Sequence, residues 1–171
     1  MRKYFFLMIC ALILCAVPIK AQKGMHGLGV GLSLMGSEGA VPGLGIKYQY
    51  YATDNFRLEG SAGFPLVERS GDSNSYFKTF ALLNVHAFFS KRGRFRPYVL
   101  AGLGYAQFYK HGDSGIASKK AGEDKNGFAL DYGLGLDCRL SHKASLQIDG
   151  GGLSCRGESG FKVNIGVVIN F

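Results

Sequence analysis

The stretch Gly160-Phe161-Lys162-Val163-Asn164-Ile165-Gly166-Val167-Val168-Ile169-Asn170-Phe171 places an apolar residue at every second position. Side chains alternate between the two faces of an extended strand, so six large apolar groups share one face. The opposite face carries Lys162, Asn164, Gly166 and Asn170. Such a stripe on an exposed strand of a soluble protein would promote aggregation. A strand that faces lipid requires the same stripe, and the stretch therefore indicates a transmembrane strand.

The first 21 residues have the features of a secretory signal peptide. Arg2 and Lys3 precede an apolar run over residues 4–17, and a plausible cleavage site follows Ala21. The run is shorter than the ~20 residues that a spanning helix needs, which favours a cleaved signal over a retained membrane anchor. We expect residues 1–21 to be the signal peptide and residues 22–171 to form one domain.

Composition favours strands and excludes one class of partner. The chain has 26 glycines in 171 residues, and many lie inside apolar segments, where each would weaken a helix. The formal net charge is +8 for the full chain and +5 (17 − 12) without Arg2, Lys3 and Lys20 of the signal peptide, and this excess is scattered over loops and turns without interleaved aromatic residues. Single-strand binding uses such interleaving, and an exported chain does not meet nucleic acid, so we expect no nucleic-acid partner.

Alternating segments recur along the chain. They cover approximately residues 26–35, 43–51, 56–66, 76–89, 97–109, 127–140, 144–153 and 160–171. Short links follow the second, fourth and sixth segments, and longer polar links tend to follow the others, including 154–159 after the seventh. This arrangement predicts an eight-stranded antiparallel up-and-down barrel in an outer membrane. A lipocalin-like soluble barrel has the same period, and periodicity alone does not distinguish the two.

The second face of these segments favours the membrane barrel. It carries ionisable residues of both signs, which in a narrow lumen must pair or bind water. We predict a lumen charge network of Lys47, Arg57, Glu59, Lys78, His86, Asp131, Asp137, Arg139, Asp149 and Lys162. Aromatic residues near the segment ends are predicted to form the girdles at the two membrane interfaces. They are Tyr48, Tyr50, Tyr51, Phe56, Phe88, Phe89, Tyr98 and Phe171.

Three parts of the sequence resemble one known family. They are the terminal strand that ends in Phe171, the stretch from Arg96 to Tyr105, and Lys20-Ala21-Gln22. They resemble the small outer-membrane beta-barrel family that includes the OmpA transmembrane domain and OmpX, in the form common in Bacteroidetes. The resemblance implies a monomer in contact with outer-membrane lipid and lipopolysaccharide. It also implies that the barrel-assembly machinery reads the terminal aromatic Phe171.

The residues favour a non-enzymatic scaffold for envelope integrity or surface interaction, with a lumen filled by side chains. One alternative is a narrow porin-like channel for small solutes or hydrophobic compounds. Another is an outer-membrane lipid-modifying enzyme, but His142 and Ser145 are three residues apart and would point to opposite faces of a strand. The four histidines lie in separate segments without metal-ligand spacing. We therefore expect no catalytic residues, no metal and no cofactor.

Two polar segments are candidate contact regions. The basic turn over residues 91–96 is either a solvated turn or a contact for anionic phospholipid headgroups. The segment 110–126 is hydrophilic and is the candidate contact for an extracellular ligand. Cys138 and Cys155 are predicted to lie at opposite ends of the barrel, too far apart for a disulfide.

Overall fold

The computed structural model describes residues 24–37, 40–66, 76–90, 94–110, 123–141 and 143–171. The predicted signal peptide, the central part of the 110–126 segment and His142 lie outside the described residues. Among the described residues, no helix is long and apolar enough to cross a membrane.

Eight strands form one closed barrel, and each strand is antiparallel to the next. They are β1 His26–Gly36, β2 Val41–Tyr51, β3 Phe56–Pro65, β4 Tyr76–Phe88, β5 Phe95–Lys110, β6 Glu123–Arg139, β7 Ala144–Cys155 and β8 Glu158–Asn170. β8 pairs with β1, which closes the sheet and leaves no free edge along the body of the barrel. The predicted fold class, an eight-stranded antiparallel up-and-down barrel, is confirmed.

The alternation in the last strand places its apolar side chains outside. Phe161, Val163, Ile165, Val167 and Ile169 are exposed on β8, whereas Lys162 and Val168 are buried inside. β1 continues the apolar surface, because Leu28, Val30, Leu32 and Leu34 are exposed as well. The outer surface is thus apolar and the inner face carries the polar residues, as a membrane barrel requires.

A bulge in β4 reverses the predicted side of two residues. Phe77 pairs with Phe108 and Thr79 pairs with Gln107, so Lys78 is the additional residue between them. The extra residue shifts the alternation by one position. The alternation that exposes Leu83 and Val85 would place Phe77 outside, but Phe77 is fully buried inside the barrel.

The links between strands correct two predicted boundaries. The predicted loop 154–159 is a two-residue turn, in which Arg156 and Gly157 have φ angles of 49° and 84°. Both central residues of a type I′ hairpin turn have positive φ, and glycine adopts it without strain. Strands β5 and β6 also extend into the predicted loop, with pairing up to Lys110 and Glu123. The alternation of short and long links therefore holds for the links after β3 and β5 but not for the links after β1 and β7.

We call the end with links 52–55, 89–94 and 140–143 the turn end, and the opposite end the loop end. Apolar side chains fill the interior near each end. The loop-end layer consists of Met35, Phe77, Phe80, Leu82, Ala106, Phe108, Ala129, Leu153 and Cys155. The turn-end layer consists of Tyr51, Phe88, Tyr98 and Leu100, with Met25 packed against it. Polar side chains lie between and among these layers.

Candidate functional site

Eight charged side chains lie buried on the inner face of the barrel. Four are cationic and four are anionic: Lys47, Arg57, Arg96, Lys162, Glu59, Asp131, Asp137 and Asp149. Each stands at an inward position of its strand, because the alternation that exposes apolar residues turns every second residue into the lumen. The formal charges of this set sum to zero.

Asp137 is the centre of the turn-end cluster. Its Oδ2 accepts hydrogen bonds from Arg57 Nη1 at 2.9 Å and from Arg96 Nη2 at 3.3 Å. The Tyr51 hydroxyl lies 3.4 Å from the same oxygen and accepts a bond from Arg57 Nη1 at 3.1 Å. Asp137, Arg57 and Arg96 are at most 1 % exposed. Because two buried guanidinium groups share this carboxylate, its removal would leave both without a counter-charge.

Aromatic rings surround the two guanidinium groups. The Arg57 Cζ lies 4.9 Å from the Phe88 ring centroid and 5.0 Å from that of Tyr98. The Arg96 Cζ lies 4.1 Å from the Phe88 centroid. Tyr51, Phe88 and Tyr98 were predicted to belong to the interfacial girdles, and for these three that prediction is wrong. They point into the lumen, where cation–π contacts help to stabilise the desolvated arginines.

His86 contributes a neutral ring to the same cluster. Its Nδ1 lies 2.6 Å from Arg57 Nη2. A guanidinium group only donates hydrogen bonds, so Nδ1 accepts and carries no proton. The imidazole stacks on Tyr98, with 4.8 Å between ring centroids and 10° between planes. With His86 uncharged, the four buried cations and four buried anions remain in balance.

Lys47, Glu59 and Asp149 form a second ionic group near the middle of the barrel. The Lys47 ammonium lies 3.4 Å from Asp149 Oδ2 and 3.7 Å from Glu59 Oε2. Asp149 also accepts hydrogen bonds from the Tyr98 hydroxyl at 3.4 Å and from Asn164 Nδ2 at 2.6 Å. These bonds connect residues of five strands around one small volume.

A pair of amides crosses the lumen. Gln49 Nε2 donates to Gln147 Oε1 at 2.8 Å, and Gln147 Nε2 donates to Gln49 Oε1 at 3.1 Å. Gln49 also donates to Glu59 Oε2 at 2.6 Å, and Gln147 Nε2 lies 3.5 Å from Asp137 Oδ2. Strands β2 and β7 are not neighbours in the sheet. The amide pair therefore links the middle ionic group to the turn-end cluster across the lumen.

The third ionic contact lies closer to the loop end. Lys162 donates to Asp131, which also accepts from Asn84 Nδ2 at 3.0 Å. The Lys162 ammonium lies 5.4 Å from the Phe80 ring centroid and so joins the polar network to the loop-end layer. A cavity of about 20 Å³ lies beside Lys47, Glu59 and Lys162. This volume is sufficient for one water molecule.

Several buried polar atoms in the described part of the barrel have no protein partner. They are Ser33 Oγ, Asn84 Oδ1, His86 Nε2, Arg96 Nε, Asp131 Oδ1, Asp137 Oδ1, Ser145 Oγ and Asn170 Oδ1. Buried polar atoms are normally hydrogen-bonded, so these positions are where internal water is expected to bind.

Two residues of the predicted network lie outside the buried group. Lys78 is half-buried at the β4 bulge, where its ammonium lies 5.3 Å from the Tyr109 ring centroid. Arg139 is half-buried at the end of β6. The bulge moves Lys78 away from the network, and the position of Arg139 at the strand end gives its side chain access to solvent.

Sequence reasoning also missed several polar members. Arg96 was assigned to the basic turn, and the uncharged members were not included in the network: Gln49, Tyr51, Asn84, Tyr98, Gln147 and Asn164. Arg96 lies on the same face of the strand as Tyr98 and Leu100. Starting the predicted strand at residue 95 instead of 97 would therefore have placed Arg96 inside the barrel. No group of three or more potential metal ligands occurs among the residues that the structure describes.

Comparison with known proteins gives one family match and several structural neighbours. The pattern of the outer membrane protein beta-barrel domain matches residues 7–171. No curated protein matches the chain. The N-terminal barrel domain of Pseudomonas aeruginosa OprF has a TM-score of 0.67 at 18 % identity, over 87 % of this chain and 98 % of that chain.

Two further solved structures resemble the barrel at similar coverage. Neisserial surface protein A has a TM-score of 0.61 at 11 % identity, over 87 % of this chain and 98 % of that chain. Ail, the attachment invasion locus protein of Yersinia pestis, has a TM-score of 0.56 at 17 % identity, over 87 % and 99 % respectively. These identities are low, so the structural likeness supports the fold alone.

Proposed function

The chain belongs to the outer membrane protein beta-barrel family, and from this premise we propose that it is a non-enzymatic scaffold of the envelope whose lumen is closed by its own side chains. The protein lies in the outer membrane. Its outer surface contacts outer-membrane lipid and lipopolysaccharide, and its loop end contacts other molecules. It acts as a monomer after removal of residues 1–21. Membership of a Bacteroidetes form of the family stays a prediction.

The charge-balanced interior is the main observation that supports this proposal. Four cations and four anions are held on one another by direct contacts, and the Gln49–Gln147 pair crosses the lumen between them. An eight-stranded barrel has an interior just wide enough to be filled by side chains. A permeating ion would have to displace these contacts, and each displaced charge would be left buried and unpaired.

The loop-end layer supports closure independently of the ion pairs. Phe77 and Phe108 pack edge to face with 4.9 Å between centroids, and both are at most 1 % exposed. Transfer of an ion into an apolar layer without compensating contacts is strongly unfavourable. Breaking the polar network alone would therefore leave a second barrier in place.

Surface interaction is assigned to the loop end, where the part of the segment 110–126 between Lys110 and Glu123 joins β5 and β6. These two strands extend beyond the point where β7 ends, because the last β7 residue, Cys155, pairs with Ala129. The ligand is extracellular. The related barrel Ail has been solved with the heparin analogue sucrose octasulfate, which makes sulfated sugars a first probe.

The test of the scaffold proposal is planar-bilayer recording of the refolded protein. We expect no large, stable openings, because both the ionic network and the loop-end layer obstruct the lumen. Stable openings of the size seen for open porins would overturn the proposal. Mass spectrometry of lipid A, with and without the protein, tests the enzymatic alternative, and a modified lipid A would support it.

A narrow channel is the second candidate function. The cavity beside Lys47 and Lys162, together with the buried polar atoms that lack a protein partner elsewhere in the described part of the lumen, favours a partly hydrated lumen. Small, reproducible conductance steps that disappear when the cavity is filled by the substitution Gly45→Leu would support this alternative over the scaffold.

Phe171 has a proposed role in assembly. His26 and Phe171 exchange two backbone hydrogen bonds, at 3.0 and 2.9 Å, where β1 meets the end of the chain. We expect deletion of Phe171 to reduce membrane insertion in cells while the protein that does insert keeps its fold. The measurement is the fraction of heat-modifiable protein in isolated outer membranes, and unchanged insertion of a chain that ends at Asn170 would contradict the role.

A further inference from the structure

Three cations form an arc at the turn end, outside the buried network. Arg94 and Lys143 are exposed and Arg139 is half-buried. The backbone N–H of Arg139 donates to the carbonyl of Arg94 at 2.8 Å, and that of Asn170 donates to the carbonyl of Lys143 at 2.7 Å. The three residues therefore follow one another around the rim from β5 to β8. We call them the basic arc.

The contacts of the basic arc differ from those of Arg96, which lies two residues after Arg94 in β5. Arg96 points into the lumen and shares the Asp137 carboxylate with Arg57. Within the described part of the chain, no carboxylate forms an ion pair with Arg94, Arg139 or Lys143. The interior charges balance without the arc, so its positive charge is available to an external partner.

Apolar residues directly adjoin the basic arc on the outer surface. Phe95 follows Arg94 and is 62 % exposed, and Leu140 follows Arg139 and is 54 % exposed. These side chains continue the lipid-facing surface to the level of the cations. Cations above an apolar belt fit the boundary between headgroups and hydrocarbon. A soluble acidic partner would match the charges but would not account for the adjoining apolar rim.

The opposite side of the turn end lacks this arrangement. The link 52–55 between β2 and β3 contains Asp54 and no lysine or arginine. The nearby outer surface is formed by His26, Tyr48 and Phe171, in which His26 Nδ1 lies 2.6 Å from the Tyr48 hydroxyl. Among the residues that the structure describes at this end, the lysines and arginines outside the lumen thus lie on the β5–β8 side of the rim.

We propose that the basic arc is a binding surface for anionic phospholipid headgroups in the leaflet that the short turns face. In barrels of the outer membrane the short turns are periplasmic, so this leaflet is the inner one. Each cation near an anionic surface strengthens association by roughly fivefold at moderate ionic strength. The arc selects phosphatidylglycerol-type headgroups over zwitterionic ones and fixes the depth of one side of the barrel.

The test uses the full-length mature chain refolded into nanodiscs of phosphatidylcholine that contain spin-labelled phosphatidylglycerol or phosphatidylcholine. Electron paramagnetic resonance gives the relative association of the two lipids with the barrel. We expect the wild type to prefer phosphatidylglycerol by roughly fivefold or more. The combined variant Arg94→Gln, Arg139→Gln and Lys143→Gln should lose most of this preference, whereas Arg94→Lys, Arg139→Lys and Lys143→Arg should keep it.

Two controls locate the effect and remove the dependence on folding of the variant. Arg156→Gln removes one cation at the loop end and should leave the preference unchanged. For the wild type, raising the salt concentration from about 20 mM to about 500 mM should weaken the preference, because screening acts on exposed charges. No preference in the wild type, a preference that survives the triple glutamine variant, or one that salt does not change would overturn the proposal. Binding of soluble peptidoglycan fragments without lipid preference would do so as well.

Discussion

The two ends of the barrel interior are closed by different chemistry. At the turn end, Arg57 and Arg96 share Asp137 inside a ring of aromatic side chains. At the loop end, Phe77, Phe80 and Phe108 pack into an apolar layer without buried charge of their own. The stability of a closure built from ion pairs depends on every partner, because removal of one partner leaves a buried charge without a counter-charge. An apolar plug loses stability in proportion to the volume that is removed. Four substitutions probe this difference.

The largest effect is expected for Asp137→Ala. The substitution leaves two guanidinium groups buried without a counter-charge, which should lower the free energy of unfolding by about 4 kcal/mol. The chain has no tryptophan, so unfolding by urea in detergent micelles is best followed by far-ultraviolet circular dichroism. Asp137→Asn keeps a hydrogen-bond acceptor and should cost less. A decrease in the free energy of unfolding smaller than that for an exposed ion pair would show that charge pairing does not stabilise this cluster.

Phe108→Ala should have the next largest effect. The ring is 1 % exposed and packs against Phe77, so its removal leaves a cavity and should cost about 3 kcal/mol. Phe108→Leu retains most of the volume and should cost less than half of that. The same urea titration measures both variants. Equal losses for alanine and leucine would mean that ring packing, rather than volume, stabilises this end.

Gln49→Ala tests the amide pair that spans the lumen. Gln147 and Glu59 would each lose a hydrogen bond in a buried site, which should cost about 2 kcal/mol. The matched control is Gln107→Ala, on the outer face of β5, which should change the free energy of unfolding by less than about 0.5 kcal/mol. Similar changes in the free energy of unfolding for Gln49→Ala and Gln107→Ala would indicate that water replaces the hydrogen bonds of the amide pair.

The smallest effect is expected for Glu158→Ala at the mouth of the loop end. Glu158 accepts from Lys125 at 2.8 Å, but the two side chains are 21 % and 30 % exposed. Partly solvated ion pairs contribute less than about 1 kcal/mol, and salt screens them. Unfolding in low and high salt should show a small loss that vanishes at high salt. A loss comparable to that of Asp137→Ala would remove the distinction between buried and rim charges.

Local pattern was sufficient for the fold and for seven of the eight buried charges of the site. The alternation over Gly160–Phe171 identifies the outward face of β8, and the same rule places Arg57, Asp131 and Asp137 inside. The rule fails at Lys78 because a bulge adds one residue and leaves no mark in the hydrophobic pattern. The alternation rule was not applied to Tyr51 and Tyr98, because aromatic residues near strand ends are compatible with the interfacial girdles as well as with the lumen.

The pairings within the lumen depend on barrel closure and were beyond the sequence. Gln49 and Gln147 are 98 positions apart and meet only because β2 and β7 face each other across a narrow interior. Arg57 reaches Asp137 over 80 positions for the same reason. A list of inward residues does not specify which of several carboxylates each cation will contact. That choice is made by strand register and side-chain length.

The tight turn at Arg156 and Gly157 bears on the order of folding. It joins β7 and β8 through two residues, so the pairs from Cys155–Glu158 to Ala144–Ile169 require little loop closure. Contacts between neighbouring residues form faster than distant ones, and an isolated hairpin forms within about 10 μs. The pairing of β1 with β8, by contrast, joins opposite ends of the domain. We therefore expect β8 to be paired with β7 before it inserts into the membrane. The pairing of β8 with β1 should form last.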